Sequence, residues 1–126
     1  MKYLRVLAVI LFGCLAFAGQ RAPGPNPYVV GIRYKGPNWT PDMNTDRGRR
    51  MMEGHISTIK EMTASGKLIA AGPFADPTDL RGLLLFRDCT VEQARAMGDE
   101  DPVVKEGQIR IEYYAWMALQ KLRTEP

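Results

Sequence analysis

An α+β domain built on one antiparallel sheet is what this sequence predicts, on three observations. Short segments near residues 28–35, 80–87 and 109–116 read as strands, the first with clear two-residue alternation. The stretch from Asp46 to Ser65 changes to three- and four-residue apolar spacing, the period of a helix. The elements follow in the order strand, helix, strand, strand, helix, strand along 126 residues, the length of a single domain.

In chain order, Tyr28, Val30, Ile32 and Tyr34 alternate against Val29, Gly31, Arg33 and Lys35, which sets the first strand. Gly36-Pro37-Asn38-Trp39-Thr40-Pro41-Asp42 is dense in turn formers and ends it. In the long helix Met52, His55, Ile56, Ile59 and Met62 are expected on one face, and Gly66 closes the last turn as a left-handed cap. Lys67–Phe74 and Leu80–Arg87 flank the turn Asp76-Pro77-Thr78-Asp79 as a hairpin. Thr90-Val91-Glu92-Gln93 is a capping box that opens a second helix, with Val91, Ala94 and Met97 inward. Pro102 is expected to end that stretch, with Asp101 biased out of helical geometry before it. Ile109–Trp116 is the last strand, and a further helical turn or two is expected in the tail, 118–126. This order is the ferredoxin-like split βαβ arrangement βαββαβ, a four-stranded antiparallel sheet with two helices on one face.

Residues 1–18 read as an export signal. Lys2 and Arg5 form a basic start, Val6–Phe12 is an apolar run, and Ala16-Phe17-Ala18 has the small-x-small pattern of a cleavage site. The run is shorter than the roughly 20 apolar residues a spanning helix needs. A retained anchor and lipoprotein processing at Cys14 are the alternatives. Residues 19–27 hold three prolines and two glycines and read as a flexible tether, leaving a domain over 28–117. A periplasmic or secreted location follows, with no membrane association once the signal is removed.

Cleavage would lower the basic residues from 17 to 15 against 14 acidic ones, which is near neutrality. That argues against nucleic acid as a partner, because a phosphate backbone is met by a clustered basic face. Arg47, Arg49 and Arg50 cluster at a helix start and read as solvated surface. Cys89 alone remains of two cysteines, so no internal disulfide is expected and a buried small hydrophobe is its default reading.

Two helices cover one sheet face. Val30, Ile32, Leu84, Phe86, Ile109 and Ile111 are assigned to it, and Val29, Arg33, Arg81, Leu83, Leu85, Tyr114 and Trp116 to the other. That second set is too apolar for a wholly solvated face and suits a homodimer; an ordinary exposed face with scattered hydrophobes is the alternative.

One histidine and one cysteine in the exported chain exclude most metal and haem ligand sets, and no phosphate loop or nucleophile elbow is present. No metal and no cofactor are expected. His55 is the one residue suited to proton transfer at neutral pH. It lies on an apolar stripe, so a hydrogen-bonded core histidine is the competing reading.

Gly72-Pro73-Phe74, Arg81-Gly82-Leu83-Leu84 and Asp101-Pro102-Val103-Val104-Lys105-Glu106-Gly107, with His55, Gly66-Lys67-Leu68, Tyr34–Trp39 and Trp116, resemble in order and spacing the YciI-like (YCII-related) family over Tyr28–Trp116. The resemblance implies a dimeric α+β barrel and a histidine–aspartate site, with His55 as acid/base and Asp101 as its orienting partner. Gly72 and Pro73 would shape the pocket, and Trp39 and Arg81 would line it. Asp99 and Glu100 adjoin Asp101, so the partner carboxylate stays open. One member type of the family removes hydrogen chloride from a chlorinated aromatic. Two functions are therefore carried forward: acid/base elimination or isomerisation on a small organic molecule, and a non-catalytic dimeric module that binds a small ligand or assembles.

Overall fold

The computed structural model describes residues 27–76, 78–120 and 122–123. The expected leader and most of the tether lie outside them; Pro27, the last tether residue, already belongs to the first strand.

The elements are β1 (Pro27–Lys35), α1 (Asp46–Ala64), β2 (Leu68–Pro73), β3 (Leu80–Arg87), α2 (Val91–Gly98), α3 (Pro102–Lys105) and β4 (Ile109–Met117). The strands form one antiparallel sheet in the order β2-β3-β1-β4, so the two central strands are β1 and β3. This is the ferredoxin-like fold that the order of elements predicts. Both helix starts follow local chemistry. Thr45 accepts a hydrogen bond from Gly48 N at the head of α1, and Thr90 and Gln93 complete a reciprocal capping box on α2. Gly66 has φ +76° just past the end of α1, the left-handed geometry that glycine adopts without strain.

The core lies between the helices and one sheet face. Val29, Leu84, Phe86 and Tyr113 from the sheet meet Met62 from α1 and Ala94 from α2, with Leu68 and Cys89 beside them. Phe86 has no exposed surface at all. Cys89 is buried and free, and burial raises its thiol above the ordinary value, so it behaves as a small hydrophobe. A second cluster joins Met51 of α1, Val103 of α3 and Ile109 of β4.

Four expectations are corrected. The register pairs Val29 with Phe86 and Gly31 with Leu84, so Val29, Gly31 and Arg33 face the helices, while Val30 and Ile32 face away beside Leu85 and Leu83. Both parities of β1 begin with apolar residues, and a one-residue slip turns every side chain to the opposite face. In α1 the buried positions are Gly48, Met51 and Met62, whereas Met52 and Ile56 are exposed. Pro102 opens α3 at its first position, where its missing N–H costs nothing, rather than ending a helix. Of the tail 118–126, Ala118–Gln120, Leu122 and Arg123 form no helical turn, and the other positions lie outside the described residues.

Candidate active site

His55 and Asp101 come from elements far apart in sequence, brought together by a close approach of α1 and α3. Gly54 permits that approach: a Cβ there would lie 2.7 Å from Pro102 Cγ, inside contact distance. His55 is the next residue and Asp101 the one before that proline. Asp101 is only 3% exposed. One of its oxygens, Oδ1, accepts from Val103 N at 3.0 Å as the cap of α3, and Oδ2 lies 2.5 Å from His55 Nδ1. A buried carboxylate thus has both oxygens engaged, as its desolvation demands. With Nδ1–H donating to Asp101, His55 Nε2 is left as the ring nitrogen available for chemistry.

The acidic run sorts by partner. Asp99 accepts from the Tyr113 hydroxyl at 3.0 Å, and Glu100 pairs with Lys105 at 2.5 Å, which leaves Asp101 against the imidazole. Burial, reinforced by Asp99, pushes the Tyr113 phenol well above its ordinary value, so it stays a neutral donor.

His55 borders a cavity of about 750 Å³. Trp39, Gly72, Pro73 and Arg81 border it too, so five of the six residues singled out in the sequence meet at one space, with Asp101 behind the histidine. A Cβ at Gly72 would meet nothing within 4 Å, so this glycine leaves space rather than relieving a clash. Arg81 reaches the cavity by a β-bulge. Arg33 pairs with Gly82 and Tyr34 with Leu80, which leaves Arg81 without a partner across the ladder. Bulges of this kind re-aim a side chain beside a site, and the Arg81 guanidinium carbon sits 4.6 Å from the Trp39 ring centroid. Its assignment to the open sheet face, made from strict alternation, is thereby corrected.

Arg33 was placed on the open face as well, and is instead a cavity residue. Its Nε is buried and meets no hydrogen-bond partner among the described residues. Burial lowers its affinity for a proton, and the Asp101 carboxylate opposes that effect. The signal in the sequence was an arginine in the middle of an apolar alternation, between Ile32 and Tyr34. Met43, Met52, Ile56 and Ile59 complete an apolar wall, and Gln108 adds an amide. No group of three or more histidine, cysteine or acidic residues among the described residues could hold a metal ion.

The model of the YCII-related domain matches residues 28–116. No curated protein matches the chain. Among solved structures, the 5-chloro-2-hydroxyhydroquinone dehydrochlorinase of Burkholderia phenoliruptrix AC1100, in complex with 2,5-dihydroxybenzoquinone, superposes with a TM-score of 0.51 at 16% identity, covering 71% of this chain and 93% of that one. At that identity the likeness establishes a shared fold.

Gly54→Ala tests the close approach. An exposed helical glycine gains up to about 1 kcal/mol on replacement by alanine, whereas overpacking against Pro102 costs about 1–3 kcal/mol. The expected outcome is a lower urea midpoint; a raised midpoint would mean that α1 and α3 are not held in contact here.

Proposed function

The chain belongs to the YCII-related domain family, and from that premise we propose that it is an acid/base enzyme in which His55, oriented by Asp101, moves a proton on a small organic molecule. The observation that carries this reading is the 2.5 Å contact between a buried carboxylate and a histidine that borders a cavity. A histidine kept only for packing needs neither a carboxylate behind it nor a space in front of it.

The chemistry follows from the geometry. Asp101 fixes the ring with Nδ1–H toward the carboxylate and stabilises the imidazolium once it forms. Nε2 then takes a proton from an activated carbon, and the electron pair left behind forms a double bond. In an elimination the group on the adjacent carbon leaves with its bonding pair; in an isomerisation the imidazolium returns the proton to a different carbon. The structural neighbour is a dehydrochlorinase, and loss of hydrogen chloride from a hydroxylated aromatic likewise requires net removal of a proton, there from a hydroxyl, together with departure of chloride. Gly72, Pro73, Trp39 and Arg81 are proposed to shape and line the substrate space.

The second reading, a dimeric binding module, is favoured by the apolar wall of Met43, Met52, Ile56 and Ile59, which suits ligand retention as well as turnover. Assembly as a homodimer is proposed from the sheet face away from the helices. Tyr28 and Trp116 pack at 5.7 Å there, and Tyr114 and Trp116 remain 51% and 42% exposed. Export is proposed from residues 1–18 alone.

Two experiments test these proposals. Wild-type protein is expected to release chloride from chlorinated hydroquinones or exchange solvent deuterium into an enolisable substrate. His55→Gln should lower that rate by about 10²–10⁴-fold, the span of general acid–base catalysis. A His55→Gln variant as active as wild type would sink the enzyme reading, and a ligand bound by wild type without any exchange would leave the binding module. After expression of the full chain and cell fractionation, the protein should appear in the periplasm, begin at Gly19 and sediment at twice the monomer mass; protein confined to the cytoplasm with Met1 intact would end the export proposal, and a single-copy mass the dimer.

A further inference from the structure

The charges around the cavity are one-sided. Among the described residues that line it, Arg33, Lys60 and Arg81 are basic and none carries a carboxylate. Asp101 lies behind His55, 3% exposed, with both oxygens engaged, so it does not face an incoming molecule. Surface cations usually find acidic neighbours or water. Arg33 has the Asp101 carboxylate near enough to favour its charge, yet its Nε is shut away from water and has no hydrogen-bond partner among the described residues. Burial lowers the hold of that guanidinium on its proton, and an anion bound beside Arg33 in the cavity it lines would offset that effect.

The rest of the lining defines the body of that molecule. Met43, Met52, Ile56 and Ile59 present hydrocarbon and thioether surface to a space of about 750 Å³. Methionine side chains adapt to varied apolar shapes. Arg81, aimed into the cavity by its bulge, lies over the Trp39 ring at 4.6 Å, which holds the guanidinium plane while leaving its edge free.

We propose that the cavity selects an organic anion, a carboxylate or phenolate on a hydrophobic body, with Arg33 and Arg81 receiving the anionic oxygen and the methionine–isoleucine wall covering the body. The inference rests on the acid/base reading for the identity of the site and adds the class of substrate to it. Within that reaction, removal of a proton by His55 sends an electron pair into the conjugated system, and an arginine on the conjugated oxygen stabilises the charge that arrives there. Arg33 and Arg81 are therefore binding residues for the ground state and partners for the developing charge.

The test compares naphthoate with naphthamide, which share a fused ring and differ in charge, by calorimetry at neutral pH on the full chain. Naphthoate is expected to bind at least about tenfold more tightly, the scale of one charge-assisted hydrogen bond. Arg33→Met together with Arg81→Gln should bring the two affinities to within about threefold of each other. Equal binding of the two probes by wild type, binding of neither, or an anion preference intact in the double variant would overturn the inference. Should the double variant not fold, Arg33→Lys keeps the charge and loses the planar fork. A loss of about tenfold in naphthoate affinity then supports the inference, and unchanged affinity overturns it. His55→Gln separates this inference from the reading it rests on. An anion preference kept in wild type, with His55→Gln turning over substrate normally, defeats the acid/base reading and leaves the anion pocket. A His55-dependent turnover without any anion preference defeats the pocket inference alone.

Discussion

A carboxylate shut away from water must have its charge answered by the protein, and the Asp101 side chain organises the site for that reason. Its two oxygens are divided between a backbone N–H that starts α3 and the Nδ1 of His55, so one residue ties a helix end to the histidine that borders the cavity. The arrangement depends on α1 and α3 lying in contact, which depends on the absence of a side chain at Gly54. Pro102 contributes from both directions, since its ring fills the space opposite that glycine and its fixed geometry starts the short helix that Asp101 caps. Loss of the carboxylate would therefore affect the helix cap and the histidine together, which is why a conservative amide is the informative replacement.

Around this pair the sheet supplies the rest of the cavity through departures from regularity. A regular β3 would send Arg81 to the face that Leu83 and Leu85 occupy; the bulge turns it toward Trp39 instead. On β1, Arg33 occupies a helix-facing position where the neighbouring positions carry Val29 and Gly31, and across the ladder stands Gly82, where a Cβ would lie 2.7 Å from the Gly72 carbonyl oxygen. The core proper, centred on Phe86, sits between α1, α2 and the sheet, while the cavity is bordered by α1, α3 and all four strands together with the loop that carries Trp39. Core and cavity share residues: Ile59 packs against the Phe86 cluster, Val103 and Ile109 belong to the second cluster, and all three border the cavity.

Much of this was legible in the sequence. The order of elements, the bounds of β3, the cap at Gly66 and the capping box at Thr90 rest on local rules, and each is found in the structure, with the short helix α3 added between α2 and β4. The residues that the family resemblance picked out come together at one cavity because their spacing is a property of the whole fold. The errors in the facing of strand residues share a cause. Strand parity was assigned to β1 where both alternating sets begin apolar, and no local feature separates Val29 from Val30; only pairing with Phe86 decides it. A bulge at Arg81 is equally silent, because an extra residue in one strand is defined by the strand beside it. Choosing Asp101 over Asp99 and Glu100 needed the positions of Tyr113 and Lys105, one 14 residues and the other five from the acid it engages.

The central claim is that Asp101 sets which nitrogen of His55 carries the proton, and a long-range proton–nitrogen NMR spectrum of the imidazole reads that directly. The account predicts that the neutral ring is protonated at Nδ1, with Nε2 bare, and that Asp101→Asn shifts the proton toward Nε2 because an amide N–H can then donate to Nδ1. A wild-type ring protonated at Nε2, or a tautomer unchanged by Asp101→Asn, would contradict it.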